Sequence, residues 1–285
     1  MIRINLLPVR EARRKAHEMQ LKGKVAKGAK KVKVGGRQWV ELAREDTDKI
    51  FVVIAEFGDN RHPAYPDVDP ATGQPASDAL TFEGPLHNKI PQPNRKVDNS
   101  TLWKADYSKA HYTDMYFNRM AKYYQAQSSG RYSVAGEVTE WVKVPFNEAR
   151  YGRNFCGGIT CNNTWFLIRD AMAAYVQSQL DQGKTLQQIT DYLKSFDEWD
   201  RYDIDGDGNF DEPDGYVDHF QLVHAGLGEE DGGGAQGGAS IWSHRWYAYY
   251  SANGPDGGGP NSYGGVRIGG SNYWIGDYTV EPENG

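Results

Sequence analysis

Lys49 to Phe57 reads KIFVVIAEF, a nearly unbroken apolar and β-branched run. A strand with one wet face would alternate with polar residues, so this run predicts a strand buried on both faces, with the folded body beginning near residue 48. From Gly58 to Ser108 the pattern dissolves, and Pro63, Pro66, Pro70, Pro75, Pro85, Pro91 and Pro93 interrupt any regular element. An excursion of that length inside a domain is usually functional or wrapped over the surface. Between 109 and 127, Tyr112, Tyr116, Met120 and Tyr123 recur at helical spacing, and Gly130 can take the left-handed cap behind them.

Two short strands are expected next, in RYSVAGEV and TEWVKVP. A second helix opens near Thr164, its pairs Leu167/Ile168, Ala171/Met172, Tyr175/Val176 and Gln179/Leu180 drawing a mostly apolar stripe toward a core. Thr185 with Gln188 three residues on forms a capping box, starting a third helix whose Leu186, Ile189, Leu193 and Phe196 share a face. After it, GYVDHFQLVHAG has Val217, Phe220, Leu222 and Val223 without helical period and reads as a strand. The tracts GLGEEDGGGAQGG and NGPDGGGP lack the spacing of a phosphate-binding loop and read as surface loops.

Between that third helix and strand lies RYDIDGDGNFDEPDGYVDHF. Carboxylates so dense repel one another unless a cation sits among them. Asp203, Asp205, Asp207 and Gly208 fit D-x-D-x-D-G, with oxygen ligands at loop positions 1, 3 and 5 and a glycine for the sharp turn at 6. Asn209 falls at position 7, where a backbone carbonyl binds, Asp211 at 9, through water or not at all, and Asp214 at 12. All are hard oxygen ligands, which favours Ca²⁺. Asp214 departs from the usual bidentate Glu, so weaker binding is expected. A strand after the loop, instead of a second helix, argues for structural calcium over a paired sensor.

Charge divides the chain unevenly. The total is −6, but residues 1–37 carry twelve Lys/Arg against two acids, net +10. Residues 1–47 are therefore expected to be a solvated basic arm, a pro-segment remnant or linker, ahead of an acidic body at 48–285. The arm lacks the interleaved aromatics that stack bases, so nucleic acid is not an expected partner. No run of eighteen apolar residues is present to span a membrane, and the apolar patch from Ile4 to Val9 has no signal-peptide cleavage site behind it. The two cysteines, Cys156 and Cys161 in CGGITC, are spaced for a small disulfide loop, the form expected in an oxidising compartment.

The segments VVIAEFGDNRHPAYP, GPLHNKIPQPNRKVDNSTLWKADYSKAHYTDMYF, DGDGNFDEPDGYVDHFQLVHAGLGEE and IWSHRWYA resemble the immune inhibitor A metallopeptidases, peptidase family M6, over roughly residues 38–285. The resemblance implies an α+β, zincin-like fold: a twisted mixed sheet backed by helices, loop-rich, with the EF-type loop between a helix and a strand. It also implies a secreted zinc endopeptidase, calcium-stabilised and made with a pro-segment, that acts on protein or peptide. About fifteen residues at the start resemble the opening of PilN-type pilus assembly proteins instead. The family's H-E-x-x-H helix, in which two histidines four apart hold Zn²⁺, is not in this sequence. His17-Glu18 is followed by Leu21 where the second histidine would stand. In the family that motif follows text like YTVEPENG, so the chain is expected to be the N-terminal portion of the catalytic domain, monomeric and inactive by itself. His219 and His224, five apart on a strand, fall on opposite faces and cannot simply share a metal, and His244 reads as a packed or hydrogen-bonded histidine. The rival expectation is a non-catalytic, calcium-stabilised extracellular binding module.

Overall fold

The computed structural model describes residues 7–60, 84–154, 161, 163–250 and 254–285. Helix α1 (Leu7–Leu21) and the hairpin β1 (Lys31–Gly35) and β2 (Gln38–Glu41) precede the body. They form no open solvated tail: Ala12 and Ala16 of α1 are buried with Val40 of β2, and Val32, Val34 and Leu42 pack around them. Sparse as that core is, it suffices to seat the helix on the hairpin.

An interior strand of the sheet is β3 (Asp46–Glu56), in which Phe51 to Ala55 are completely buried, as its unbroken apolar run predicts. Beside it run β4 (Tyr132–Val138), the short β5 (Val142–Lys143), β6 (His219–His224), β7 (His244–Tyr247) and β10 (Asp277–Pro282). The sheet order is β4-β3-β6-β10-β7, with β5 also on β3. All neighbouring pairs are parallel except β10 with β7, which is antiparallel, so the sheet is mixed. A separate two-residue ladder joins β8 (Val266–Arg267) to β9 (Trp274–Ile275).

Helices cover both faces. On one, α5 (Thr164–Asp181) and α6 (Leu186–Lys194) bury Leu167, Ile168, Ala171, Met172, Ile189 and Leu193 against Phe51, Phe220 and Leu222. The Thr185/Gln188 capping box is formed as expected, with the Gln188 N–H donating to Thr185 Oγ1 at 3.2 Å and the Thr185 N–H to Gln188 Oε1 at 2.8 Å. On the other face lie α2 (Lys109–Asp114) and α3 (Ala121–Gln127), joined through a π-helical stretch, Met115–Met120. Tyr112 and Tyr116 are buried, but Tyr123 is 60% exposed. A π stretch takes in extra residues per turn, so the later positions rotate off the face that α-helical spacing assigns them. Helix α4 (Ala149–Gly152) is a single turn between β5 and α5.

Candidate functional site at the acidic loop and the carboxyl ends of the strands

The acidic loop lies between α6 and β6, where the sequence places it. Asp203, Asp205 and Asp207 each present a carboxylate oxygen such that these atoms lie within 4.8 Å of one another. Asp200, Asp205 and Glu212 form a second such group. Backbone donors fold the loop around them: the Gly208 N–H donates to Asp203 Oδ1 at 2.7 Å, the Asp207 N–H to Asp205 Oδ1 at 3.1 Å and the Ile204 N–H to Asp200 Oδ2 at 2.7 Å. Asp203 is 7% exposed, and its other oxygen is buried with no hydrogen-bond partner. A buried carboxylate oxygen left bare is costly unless a cation or water meets it.

Asp214 belongs to neither group. Its Oδ1 accepts from the Tyr216 N–H at 2.9 Å, and its own N–H donates to Asp197 Oδ1 at 2.8 Å. The short Asp side chain closes on the backbone two residues ahead, as Asp does in turns, instead of reaching into the loop. Glu212, longer by one methylene, is the carboxylate that meets the cluster. The structure thus brings together Asp203, Asp205 and Asp207 from the predicted set, leaves Asp214 aside, and adds Asp200 and Glu212. Asp211 is 83% exposed at its side chain and pairs with Arg44 at 2.9 Å. Burial, with neighbouring carboxylates adding, pushes Asp214 up to about 7.

A second region gathers at the carboxyl ends of β3, β6 and β10, where open α/β sheets place their ligands. A cleft of about 730 Å³ opens there, bordered by Gly84, Pro85, Lys143, Gly226, Leu227 and Gln236. Glu148, whose N–H donates to the Gly84 carbonyl at 3.1 Å, forms a fully buried pair with His224, with Oε1 and Nδ1 3.6 Å apart. Glu148 Oε1 accepts from Ser240 Oγ at 2.8 Å and from the Ile241 N–H at 3.2 Å. His224 Nδ1 lies 3.0 Å from the Ala225 carbonyl, which only accepts, so this nitrogen carries the hydrogen. Burial pushes Glu148 up to about 8 and His224 down to about 4, so at pH 7 both are neutral. Glu283, just past β10, takes the Asn88 N–H at 3.1 Å, and burial pushes it up to about 7. His87 Nδ1 meets Glu56 Oε2 at 2.6 Å while its ring stacks on Trp141 at 4.6 Å.

Sequence reading missed Glu148 and Glu283. Glu283 stands in a segment that resembles family text, but no periodicity or motif marks Glu148. His219 and His224 do fall apart as expected: His219 Nε2 lies 3.1 Å from Asp48 Oδ2, while His224 is in the core. His244 is packed, its Nε2 2.8 Å from the Tyr278 hydroxyl. Cys161 is buried, and Cys156 lies outside the described residues. Among the described residues, the groups of three or more His, Cys, Asp or Glu able to meet at one ion are the two all-carboxylate groups of the loop. Such donors suit a hard cation and do not fit the imidazole-rich coordination of zinc.

Fold and site together define a mixed α/β protein with a loop of clustered carboxylates and a cleft at the carboxyl ends of its strands. Family comparison places it further: residues 36–285 match the description "Immune inhibitor A peptidase M6, catalytic domain", and the chain belongs to this metallopeptidase family. It is 35% identical to Immune inhibitor A of Bacillus thuringiensis subsp. alesti over 209 residues, 65% of this chain and 27% of that protein. It is 32% identical to the Pre-pro-metalloprotease PrtV of Vibrio cholerae serotype O1 (strain M66-2) over 292 residues, 95% of this chain and 29% of that protein. The chain spans less than a third of the length of these curated relatives. No helix among the described residues is long and apolar enough to cross a membrane.

Proposed function

We propose that this chain is the N-terminal portion of the catalytic domain of a secreted zinc endopeptidase of the immune inhibitor A type. It supplies the sheet, one wall of the cleft and a calcium-holding loop, while the zinc ligands come from another part of the parent protein. The observation that carries this reading is the catalytic-domain match across residues 36–285 in a sequence without H-E-x-x-H. The substrate class is protein or peptide, and the extracellular setting follows from the secretion proposed for the family. Purified with zinc, the chain is expected to leave casein intact over hours. Hydrolysis that a chelator abolishes would show that the chemistry resides in these residues after all.

Calcium is proposed for the loop because only oxygen donors converge there and because a buried Asp203 oxygen has no partner. The ligands are Asp203, Asp205 and Asp207, with Asp200 and Glu212 taking the part that the spacing alone gives to Asp214. The Asn209 carbonyl is assigned from loop position. Secretion also implies that Cys156 and Cys161 are bonded. Thiol titration of the folded, oxidatively prepared protein should read no free thiol, and two per chain would remove the disulfide.

A further inference from the structure

The basic arm does not merely precede the body; it is seated on the outer side of the acidic loop. Lys31 Nζ donates to the Gly208 carbonyl, and Arg37 donates to the Asp205 carbonyl. Arg44, just after the hairpin, pairs with Asp211 and lies 4.8 Å over the Trp199 ring, whose Nε1 donates to Glu41 Oε2 at 3.1 Å. Trp39 of β2 lies so close to Gly208 that a Cβ there would come within 2.7 Å of its ring. At Gly206 a Cβ would come within 2.8 Å of the Arg37 carbonyl. Position 4 of an EF-type loop needs no glycine for coordination. In Gly206 both the positive φ of 73° and the approach of the arm call for one.

From these contacts we infer that the loop is the docking surface for the chain's own N-terminal segment, residues 7–45, and that arm docking and calcium binding favour one another. The inference rests on the calcium reading of the loop. Lys31 and Arg37 hold backbone carbonyls, and those carbonyls stand where they do only while the loop is closed around its carboxylates. Without a cation, Asp200, Asp203, Asp205, Asp207 and Glu212 repel, the loop opens, and the arm loses its acceptors. Conversely, a seated arm holds the loop in its closed form, so less ordering remains for calcium to bring about.

Two effects oppose each other here, and their sizes decide the sign. Arm cations near a cation site disfavour binding, but Lys31 and Arg37 are directed at carbonyls and Arg44 at an exposed Asp211, where water and salt screen them. Each flexible residue that must be fixed carries an entropic cost larger than a screened surface interaction, so pre-ordering even a few loop residues outweighs that repulsion. The coupling is therefore positive and, being a linkage between two equilibria, reciprocal.

The test is amide hydrogen exchange on the intact chain in calcium and in chelator, combined with calorimetric titration using calcium alone. Chelation is expected to speed exchange across residues 31–41 at least tenfold, while the β4 amides (132–138) stay protected. Lys31→Ala/Arg37→Ala should weaken calcium binding by about tenfold, within the usual range of allosteric couplings. If calcium binds, with heat lost in Asp203→Asn, but exchange at 31–41 does not change, the coupling is wrong and the calcium loop stands. If no calcium heat is seen at all, the loop reading fails and this inference falls with it. The exchange comparison needs no variant, so the outcome does not depend on the double substitution folding.

Discussion

Removing calcium should lower the melting temperature by roughly 5 to 10 °C. A ligand bound only by the folded form stabilises it by about 2.7 kcal/mol at a hundredfold excess over its Kd. In domains somewhat smaller than this chain, each kcal/mol moves the midpoint by about 2–4 °C. Asp205 belongs to both carboxylate groups of the loop, so Asp205→Ala should reproduce most of the loss even in excess calcium. Asp211→Ala should do much less, because Asp211 faces solvent and its partner is Arg44. Glu212→Gln against Asp214→Asn decides the last ligand: spacing puts it at Asp214, while the geometry puts Glu212 with Asp200 and Asp205. The expected order of damage is Asp205→Ala, then Glu212→Gln, then Asp214→Asn. Proteases should nick the metal-free protein between about residues 197 and 215. Equal melting temperatures with calcium and with chelator would return the loop to an ordinary acidic turn.

What the sequence made legible here is what depends on local pattern. The run at 49–57 reads as a doubly buried strand because no polar residue gives it a wet face, and Phe51 to Ala55 are indeed inaccessible. The Thr185/Gln188 box is a three-residue geometry and forms as written. Illegible are the features set by contacts distant in sequence. The arm reads as solvated because its charge dominates its composition, yet the acceptors for Lys31 and Arg37 lie far along the chain, on a loop whose glycines read simply as turn residues. Tyr123 shares the helical spacing of the buried Tyr112 and Tyr116 yet is exposed, because of a π stretch at Met115–Met120 that nothing in the spacing reveals. Glu212 stands beside Asp200 and Asp205, where the spacing alone points to Asp214, because a loop register counts positions, whereas the Asp214 side chain accepts from the Tyr216 N–H. Glu148 is invisible for a related reason: a lone carboxylate in FNEARYG looks like surface until β6 brings His224 beside it.

That buried Glu148 should make the protein less stable toward alkaline pH, in a way one substitution removes. Its carboxyl stands at about 8 in the folded chain, raised above its ordinary 4.5 chiefly by burial. A raised acid means that the folded form holds a proton which the unfolded form gives up above about 4.5. Stability is therefore unaffected below that pH, falls as the pH rises toward 8, and levels off beyond it, by at most about 1.4 kcal/mol per pH unit. His224 acts at the other end: held down to about 4 by burial, it costs stability as the pH drops below its ordinary 6.5. Glu148→Gln keeps an oxygen for Ser240 Oγ and the Ile241 N–H but cannot ionise, so the one-proton slope between pH 5 and 8 should vanish while the acid-side loss from His224 remains. Glu283, raised to about 7, and the acidic loop contribute slopes of their own over the same window. The quantity to measure is thus the difference between wild-type and Glu148→Gln urea stabilities at pH 5, 6.5 and 8. That difference should grow in the variant's favour by several kcal/mol from the lowest pH to the highest. Parallel curves would mean that Glu148 is already ionised in the folded chain and paired with a His224 imidazolium, an ion pair in place of two neutral groups.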